Sequence, residues 1–526
     1  MVKSQSFLGG AAWLAAAGMM SKVLGAAFRI PLARLIGPEG MGLFGMAYPL
    51  YTMILVLSTA GIPVAISKLV AEQLAENRPQ QAGAIFKVAN RALFVSGLFF
   101  STLTVLLAYM FTAVGILRDP RALLPFLATS PAVLLVAINS AGRGYFQGFQ
   151  DMRPTAVSQI VEQFFRAATA VILGYLLLPY GLEFAAAGAA LGAVSGAIGA
   201  GVVLWWYRRS SAHGLVTAAP WPEDWRRILK RILGLAVPVT LASLVMPIMQ
   251  NLDVLVVPYR LEAAGYTVAE STALFGQLTQ MAFTLVNLPV ILTGALAVSL
   301  VPAISAAQTR QNRFQLDKYI HTSLRFTILL ELPAAVGLYL LAEPIMGLLY
   351  GSPEAGPALA ALSASCLFLG LNQTTAGILQ GLGRTDLPVR SLVAGAAVKV
   401  VLTYILTGIP AFGIRGAAWA TVATFALASF LNVHFICKQT GFTWVAGDYL
   451  PKSAAAAGGM GLIVSFSYRY LAMQIGYHWA VFIAIAVGII SYLILLLLFR
   501  AMKAEDLALL GTFGAKLAHR LKPKRR

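Results

Sequence analysis

The stretch that decides the fold class is residues 479–499, WAVFIAIAVGIISYLILLLLF, in which no side chain is charged. The hydrocarbon core of a bilayer is about 30 Å thick and is crossed by a helix of about 20 apolar residues. Lipid admits only helices and closed barrels, because each unpaired backbone group there costs several kcal/mol. Barrel strands are about 10 residues long and alternate between apolar and polar positions. This run is longer and uniformly apolar, so it predicts a transmembrane helix.

The rest of the chain repeats this pattern. Of its 526 residues, 59% are hydrophobic and 11% are charged, whereas soluble globular proteins carry about 25% charged residues. Long apolar runs recur from Phe7 to Phe499, and no polar stretch between them is long enough to fold as a separate soluble domain. The composition therefore excludes a soluble enzyme and predicts an all-α integral membrane protein.

Fourteen transmembrane helices are expected from the apolar runs that are bounded by charge, proline or glycine. They lie near residues 7–35, 41–67, 88–115, 121–142, 155–179, 183–207, 232–258, 272–305, 318–342, 356–381, 388–408, 414–437, 451–473 and 477–499. An even number of crossings places both ends of the chain on the same side of the membrane.

The distribution of Lys and Arg predicts which side that is. The chain has 39 Lys and Arg against 20 Asp and Glu, a formal net charge of +19. With a cytoplasmic N-terminus, 29 of the 39 cations fall in inner segments and 5 in outer segments. Cytoplasmic loops are enriched in Lys and Arg, so we expect both termini to be cytoplasmic. The positive charge therefore reflects topology, and no nucleic-acid partner is expected.

A weak internal repeat divides the chain into two related halves. Three motifs of the first half recur in the same order in the second half, at offsets of 231 to 238 residues. They are Leu-Phe-Gly at 43–45 and 274–276, Ala-Ile-Ser at 65–67 and 303–305, and Gly-x-x-Gln-Gly at 144–148 and 377–381. Six helices in each half place the halves parallel, about an axis along the membrane normal. In transporters this arrangement places the substrate site between the halves, near the membrane midplane.

The repeat and the helix count predict the division into domains. The expected divisions are an N-lobe at 1–209, a cytoplasmic linker at 210–228, a C-lobe at 229–440, two further helices at 441–503 and a basic cytoplasmic tail at 504–526. The tail has the charge to bind anionic lipid headgroups, and simple solvation explains its composition equally well.

Eight charged side chains lie inside the predicted spans. Such groups cost about 2.5–3.5 kcal/mol or more when they face lipid, so they usually face a bundle interior or a water-filled cavity. The cations are Lys22, Arg29, Arg34, Arg166 and Lys399, and the acids are Glu162, Asp253 and Glu331. The repeat offset adds Arg260, which aligns with Arg29. We expect the six cations to line a substrate cavity and the three acids to serve in gating or ion coupling.

Local pairing is the alternative explanation for several of these charges. Arg166 follows Glu162 by four residues, a spacing that places both on one helix face and allows an ion pair. The repeat aligns Lys22 with Asp253, so one hypothesis pairs these two across the cleft in one state of the transport cycle. Two other cations, Arg34 and Arg260, lie near span ends and are long enough to snorkel to the interface. The five cations in the spans exceed the three acids by two, which suits an anionic group such as a diphosphate.

No cofactor and no metal site are expected. The two cysteines, Cys366 and Cys437, match no metal-ligand spacing. The sequence contains no GxxxxGK[ST] phosphate-binding loop. Residues 40–45 fit GxGxxG but precede a transmembrane run, so they do not predict a dinucleotide site. Transport is expected to run on a gradient of Na⁺ or H⁺, on the membrane potential or on substrate flux.

Five segments carry a resemblance to a known family. They are SKVLG at 21–25, LIGPEGMGLF at 35–44, NLDVLVVPYRL at 251–261, LFGQLT at 274–279 and SLVPAIS at 299–305. The first of these, with Arg34, is similar to the start of the MurJ-type lipid II flippases. The other four resemble the polysaccharide biosynthesis and stage V sporulation protein B family. These families belong to the multidrug, oligosaccharidyl-lipid and polysaccharide exporter superfamily.

The resemblance implies a fold and a function. It implies two six-helix lobes that form a V, a central cationic cavity, and two extra helices that border a groove for a lipid tail. It also implies that the chain flips an undecaprenyl-diphosphate-linked sugar, such as lipid II, to the outer leaflet of a bacterial plasma membrane. The implied partners are this anionic lipid-linked glycan and membrane lipids, and the transporter is expected to be monomeric.

The site residues of the MurJ type carry over in part. Lys22 and Arg34 match cationic positions of the first MurJ span. The next position, an Arg followed by Asp in that family, is replaced here by Phe28 and Arg29, so Arg29 carries over only loosely. The Asp-Arg pair of the eighth MurJ span is replaced by Gln280 and Met281.

Two other functions are weighed against the flippase. A cation-coupled drug exporter would use Asp253 or Glu331 as its ion site. A cavity of net negative charge would favour this function. A membrane glycosyltransferase or polymerase would carry a large soluble loop or an acidic catalytic cluster, and the sequence shows neither. The expectation is therefore a transporter and not an enzyme. The sugar, the coupling ion, and a role in the vegetative wall or the spore cortex are left open by the sequence.

Overall fold

All regular secondary structure in the described residues of the computed structural model is helical. The structure describes residues 7–59, 61–210, 221–443, 447, 449–499 and 501. Helices form in apolar segments of this length because lipid offers the backbone no hydrogen-bond partner, so each segment must pair its own N–H and C=O groups. The prediction of an all-helical membrane protein is confirmed for this part of the chain.

Two compact units make up the structure, Met1–Met281 and Ala282–Arg526. Eleven helices are described in the first unit. They are α1 Phe7–Ala27, α2 Arg29–Thr59, α3 Ile62–Ala75, α4 Pro79–Ala113, α5 Leu123–Gly148, α6 Arg153–Leu177, α7 Leu182–Ala190, α8 Gly192–Ser210, α9 Trp225–Ser243, α10 Val245–Ala263 and α11 Val268–Gly276. Side chains of α3, α4, α5 and α9 share one buried apolar cluster, which includes Ile66, Leu93, Tyr145 and Ile232.

Nine helices are described in the second unit. They are α12 Phe283–Thr309, α13 Arg313–Leu340, α14 Ala342–Tyr350, α15 Gly356–Ser363, α16 Ser365–Gly381, α17 Asp386–Thr407, α18 Ile414–Thr440, α19 Leu450–Ile475 and α20 Tyr477–Leu498. A buried apolar cluster joins α12, α13, α16 and α18 and includes Ile304, Ile328, Ile378 and Ile436. A π-helical turn, Gln277–Ala282, lies at the boundary between the units.

Ten helices in the described residues are long and apolar enough to cross a membrane, or up to twelve if each bent pair is one span. The two bent pairs are α9 with α10, at 43°, and α15 with α16, at 44°. The chain is thus a multi-pass membrane protein. The finer count of fourteen and the predicted lobe boundaries stay predictions, and linker residues 211–220 and tail residues 504–526 lie outside the described part.

A kink near the start of α2 turns the chain at Gly37. This residue has φ +69°, in the left-handed region that favours glycine, inside an otherwise helical run. The next residue, Pro38, has no N–H to continue the helical hydrogen bonds. Beyond the kink, Glu39 lies within hydrogen-bond distance of Arg121.

The Gly-x-x-Gln-Gly motif of the first unit allows α5 to pack closely on α3. A Cβ at Gly144 would lie 2.7 Å from the carbonyl oxygen of Pro63, and a Cβ at Gly148 would lie 2.6 Å from Cβ of Val70. Only glycine fits at such distances. The motif therefore brings two helix backbones together, which is the usual role of small residues between membrane helices.

The second copy of the motif has the same role inside the second unit. A Cβ at Gly377 would lie 2.7 Å from the carbonyl oxygen of Ala297, and one at Gly381 would lie 2.7 Å from Cβ of Ile304. Both neighbours belong to α12, which carries the repeated Ala-Ile-Ser motif. The repeated residues thus make similar contacts within each unit.

Candidate functional site

A buried carboxylate on α6 binds two guanidinium groups. Glu162 is 7% exposed, and each of its carboxylate oxygens accepts a hydrogen bond from a different arginine. Arg143 Nη2 donates to Oε2 at 2.7 Å, and Arg166 Nη2 donates to Oε1 at 2.8 Å. Hydrogen bonds between charged groups at these distances are among the strong ones in proteins. Glu162 therefore fixes the position of both arginines.

The packing of α8 on α6 supports this arrangement. A Cβ at Gly196 would lie 2.6 Å from the carbonyl oxygen of Glu162, and one at Gly192 would lie 2.5 Å from that of Arg166. Ser158 Oγ accepts a further hydrogen bond from Arg143 Nε at 3.1 Å. The backbones of α6 and α8 therefore pack closely together beside the two ion pairs.

Tyr48 on α2 brings a third cation to the same place. Arg166 Nη1 donates to the Tyr48 hydroxyl at 3.3 Å. The guanidinium carbon of Arg29 lies 6.0 Å from the centre of the Tyr48 ring, within the range of a cation–π interaction. We call Arg29, Tyr48, Arg143, Glu162 and Arg166 the arginine cluster. Its three guanidinium groups carry three positive charges against the single negative charge of Glu162.

The buried Nε of Arg166 makes no well-formed hydrogen bond in the described part of the chain. The Tyr51 hydroxyl, whose side chain is 1% exposed, lies beside the Arg166 guanidinium. A buried polar group without a partner costs about 1–3 kcal/mol. The arginine cluster therefore combines excess positive charge with unused hydrogen-bonding capacity, a combination that suits a multiply charged anion.

Three of the predicted site residues meet in this cluster. The ion pair between Glu162 and Arg166, expected from their spacing, is present, and Arg29 joins through Tyr48. The sequence does not predict Arg143 as a site residue, because the fourth predicted span, 121–142, ends one residue before it. The helix α5 continues to Gly148, so a single charge did not mark its end.

The other predicted residues of the first unit lie outside the contacts just described. Lys22 on α1 and Arg34 on α2 are exposed, and Asp253 and Arg260 on α10 are half-buried. Their roles in a cavity, and the pairing of Lys22 with Asp253, stay predictions.

In the second unit the two predicted residues are buried. Lys399 on α17 is 7% exposed and Glu331 on α13 is 0% exposed. Glu331 contacts Thr293 and Cys366. In the described residues, no group of three or more His, Cys, Asp and Glu side chains is arranged to hold a metal ion.

A second charged network ties α2 to α11 in the first unit. Arg121 donates to both oxygens of Asp119, at 3.0 and 2.8 Å, and to Glu39 at 2.6 Å. Thr272 on α11 donates to Asp119 at 3.0 Å. Asp119 is 1% exposed. We call these four residues the Arg121 network.

Comparison with protein families gives two matches. The model of the family described as polysaccharide biosynthesis protein matches residues 7–308. The model of the family described as MatE matches residues 238–405. The first match covers more than half of the chain.

Individual proteins are similar over most of their length. The stage V sporulation protein B of Bacillus subtilis (strain 168) is 33% identical over 519 residues, which are 97% of this chain and 98% of that protein. The lipid II flippase MurJ of the same organism is 29% identical over 445 residues, 81% of each chain. A solved structure of a lipid II flippase MurJ, in an inward closed conformation, has a TM-score of 0.68 at 17% identity and covers 93% of this chain and 98% of its own. That last likeness shows a shared fold.

Proposed function

The chain belongs to the polysaccharide biosynthesis protein family, and from this membership we propose that it is a flippase for a lipid-linked cell-wall precursor. Its cargo is an undecaprenyl-diphosphate-linked glycan, lipid II or a related compound. The chain moves this cargo from the inner to the outer leaflet of a bacterial plasma membrane. The observation that carries the proposal is the arginine cluster, in which two guanidinium groups bind the Glu162 carboxylate and a third lies over the Tyr48 ring.

The chemistry of the cluster supports a diphosphate headgroup. Guanidinium groups present planar pairs of donors that match phosphate oxygens. The Nε atom of Arg166 is a further donor that makes no well-formed hydrogen bond in the described residues. The glycan's two phosphates compensate the positive charge that Glu162 leaves over. Lys22, Arg34, Arg260 and Lys399 extend the cationic lining in this proposal.

We propose alternating access between two six-helix lobes as the mechanism. The lobes rock about a central cavity, and the cargo's headgroup crosses while its lipid tail stays in the bilayer. The helices α19 and α20, which pack on each other, border the groove for that tail. No covalent chemistry and no bound cofactor are required, and a coupling ion or the membrane potential supplies the energy.

The proposed topology has fourteen crossings with both termini in the cytoplasm. The candidate span Ala16–Ala75 covers 60 residues and includes parts of α1, α2 and α3. At 1.5 Å per residue, α2 alone, with 31 residues, has a path of about 46 Å, more than the roughly 30 Å core, so the whole span favours more than one crossing. The 26 residues of α19 measure about 39 Å and supply a further one. Each bent pair counts as one broken span.

The names of the relatives support the cargo class, since one is a lipid II flippase and another a sporulation protein. The second candidate function is a cation-coupled drug exporter, which the MatE match over residues 238–405 supports. Cationic drugs would be repelled by the arginine cluster. The flippase is therefore the better explanation.

A reconstituted assay distinguishes the two. The purified full chain is placed in liposomes that carry fluorescent lipid II, and the fraction of lipid II that a membrane-impermeant quencher reaches is followed with time. We expect accessible lipid II to rise above protein-free liposomes, and ethidium uptake by the same liposomes to stay at the protein-free level. Ethidium transport without lipid II movement would reverse the assignment.

A further inference from the structure

We propose that Glu331, in the second unit, is a proton-binding site, and that its protonation changes during the transport cycle. The second clause rests on the proposed function, whereas the proton site stands on the contacts of Glu331 itself. The reaction is the addition of a proton from the aqueous phase to the carboxylate and its later return.

Glu331 lies well inside α13, away from both helix ends, and its side chain is buried. Its side chain is 0% exposed. Leu340, the last residue of α13, lies nine positions further along the helix, so Glu331 is about 14 Å from that end at 1.5 Å per residue. In the described part of the chain no basic nitrogen lies within 4.0 Å of its carboxyl oxygens. A charged carboxylate is very costly in such a place, and a group of this kind is neutralised instead.

Its two polar partners each have a single hydrogen to give. Thr293 Oγ1 lies 3.1 Å from Glu331 Oε1, and Cys366 Sγ lies 2.9 Å from Oε2. The Thr293 hydroxyl also lies 3.0 Å from the carbonyl oxygen of Val290, and the Cys366 thiol lies 3.7 Å from that of Val286. Each partner therefore has a backbone acceptor that competes for its hydrogen.

A proton on Glu331 Oε1 satisfies these contacts together. The carboxyl donates a hydrogen bond to Thr293 Oγ1, and the Thr293 hydroxyl donates its own hydrogen bond to the carbonyl oxygen of Val290. The other oxygen, Oε2, then accepts from the Cys366 thiol. Without that proton, a carboxylate would depend on one shared hydroxyl and on a thiol, which is a weak donor.

The packing selects a proton over a metal cation. A Cβ at Gly370 on α16 would lie 2.6 Å from Glu331 Cγ and 3.0 Å from Oε1, so α16 fills the space beside the carboxyl. Hard cations need about six or more oxygen ligands, and a thiol is a soft ligand that they do not prefer. A proton needs one acceptor, which Thr293 provides.

The ionisable groups on neighbouring helices do not offer another partner. On the helices packed against α13 they are Cys366 on α16; Glu343 and Tyr350 on α14; Lys452, Tyr468, Arg469 and Tyr470 on α19; and Tyr477, His478 and Tyr492 on α20. On α13 itself they are Arg313, Asp317, Lys318, Tyr319, His321, Arg325 and Tyr339. Among all of these, Cys366 makes the contact with Glu331.

A buried polar track leads away from this carboxyl along α13. Ser323, Thr327 and Glu331 follow each other at four-residue spacing and are each at most 1% exposed. The Thr327 hydroxyl lies 2.7 Å from that of Thr374 on α16. Residues four apart share one helix face, so these three side chains lie on one face of α13, in order toward its Arg313 end. In the proposal this polar face is the route by which a proton reaches Glu331.

Infrared difference spectroscopy tests the proton site without any lipid cargo. The full chain in detergent is compared with Glu331→Gln and with Glu354→Gln, whose carboxyl is exposed on the same unit. We expect the C=O band of a buried protonated carboxyl at neutral pH in the wild type, its loss in Glu331→Gln, and its retention in Glu354→Gln. A wild-type spectrum without such a band, or a band that survives Glu331→Gln, would overturn the proposal.

A second variant, Thr293→Val, keeps the proposal testable if Glu331→Gln does not fold. In Thr293→Val the carboxyl keeps its proton and loses its acceptor, so the band should persist and shift to higher frequency. A band removed by added NaCl at constant pH, and not by KCl, would instead identify a sodium site and refute the proton assignment.

Coupling is measured in the liposomes that carry lipid II. An imposed pH gradient should change the flipping rate of the wild type and of Glu354→Gln, and leave that of Glu331→Gln unchanged. Equal responses of wild type and Glu331→Gln would refute the coupling. Absence of lipid II movement with an intact infrared band would contradict the proposed function and leave the proton site standing.

Discussion

At the scale of single residues, one carboxylate holds the arginine cluster together. Glu162 accepts from Arg143 and Arg166 with one oxygen each, and neither guanidinium is more than 15% exposed. Removal of one member of a buried ion pair leaves an uncompensated charge, which costs about 3–5 kcal/mol. The stability of this region therefore depends more on Glu162 than on either arginine, since its loss leaves two charges unpaired.

We expect Glu162→Gln to lower the free energy of unfolding by about 3–5 kcal/mol and to reduce lipid II flipping. Thermal unfolding of the purified protein in detergent measures the first effect, and the liposome assay the second. Glu76→Gln is the matched control, because Glu76 pairs with Arg78 at an exposed position and such pairs contribute about 0–1 kcal/mol. Equal melting temperatures for both variants would show that Glu162 does not compensate the arginines.

The sequence identified part of this cluster and missed part for a definable reason. The spacing of Glu162 and Arg166 is local, and the ion pair follows from helix geometry alone. Arg143 lies 19 positions before Glu162, on another helix, and no periodicity relates the two. In sequence, Gly142 and Gly144 on either side of Arg143 favour a helix end, whereas in the structure both lie inside α5.

At the scale of helices, glycines set how closely neighbours approach. Gly142 and Gly144 are two residues apart on α5 but face different surroundings. A Cβ at Gly142 would lie 3.5 Å from Leu204, an ordinary contact, whereas one at Gly144 would lie 2.7 Å from the backbone of Pro63. The same substitution at the two positions should therefore have opposite effects.

We expect Gly144→Ala to destabilise the protein by about 1–3 kcal/mol, the usual effect of overpacking. Gly142→Ala should be neutral or stabilising by up to about 1 kcal/mol, because alanine is the better helix former. The two melting temperatures, measured in the same detergent, test the packing of α5 on α3. Similar shifts for both variants would contradict the close approach at Gly144.

The Arg121 network also holds helices together, because it links the segment before α5 to α2 and α11. Its pairwise strength is measurable with a double-mutant cycle of Asp119→Asn and Arg121→Gln. Groups in direct contact usually show coupling energies of about 0.5–3 kcal/mol, and we expect the upper part of that range because Asp119 is 1% exposed. The pair Arg118 and Glu262, 3.9 Å apart and partly exposed, is the comparison and should couple more weakly.

At the scale of the whole molecule, the proposed function depends on the membrane topology, that is, on which side of the membrane each loop lies. The positive-inside rule predicts that both termini lie in the cytoplasm, and the proposed alternating access requires that each loop lie on a defined side. The fourteen proposed crossings give each loop a side. A change in the number of crossings would reverse every later loop.

Cysteine labelling with a membrane-impermeant reagent in intact cells tests these assignments. Single cysteines at Gly265, Gly351 and Gly476 should be labelled from outside, and those at Gly383 and Gly441 should not. The background chain carries Cys366→Ala and Cys437→Ala. Labelling of Gly441 from outside, or protection of Gly476, would remove α19 from the list of crossings.

The sequence by itself determined that this protein is helical and lives in a membrane. That conclusion depends on the solvent, because lipid forces every apolar run to satisfy its own backbone, and the runs are visible one residue after another. The sequence also located the charges inside the predicted spans and the repeated glycine motif. Apart from the local pair of Glu162 and Arg166, it did not identify the partners of those charges.

Only the tertiary structure decided which of these residues meet. Arg143 reaches Glu162 from another helix, and Thr293 and Cys366 reach Glu331 from positions 38 and 35 residues away. Such contacts depend on helix crossings that close-packed glycines and prolines set, and no local period encodes them. The charge of a side chain is a property of the sequence, whereas its compensation depends on what the packed helices place beside it.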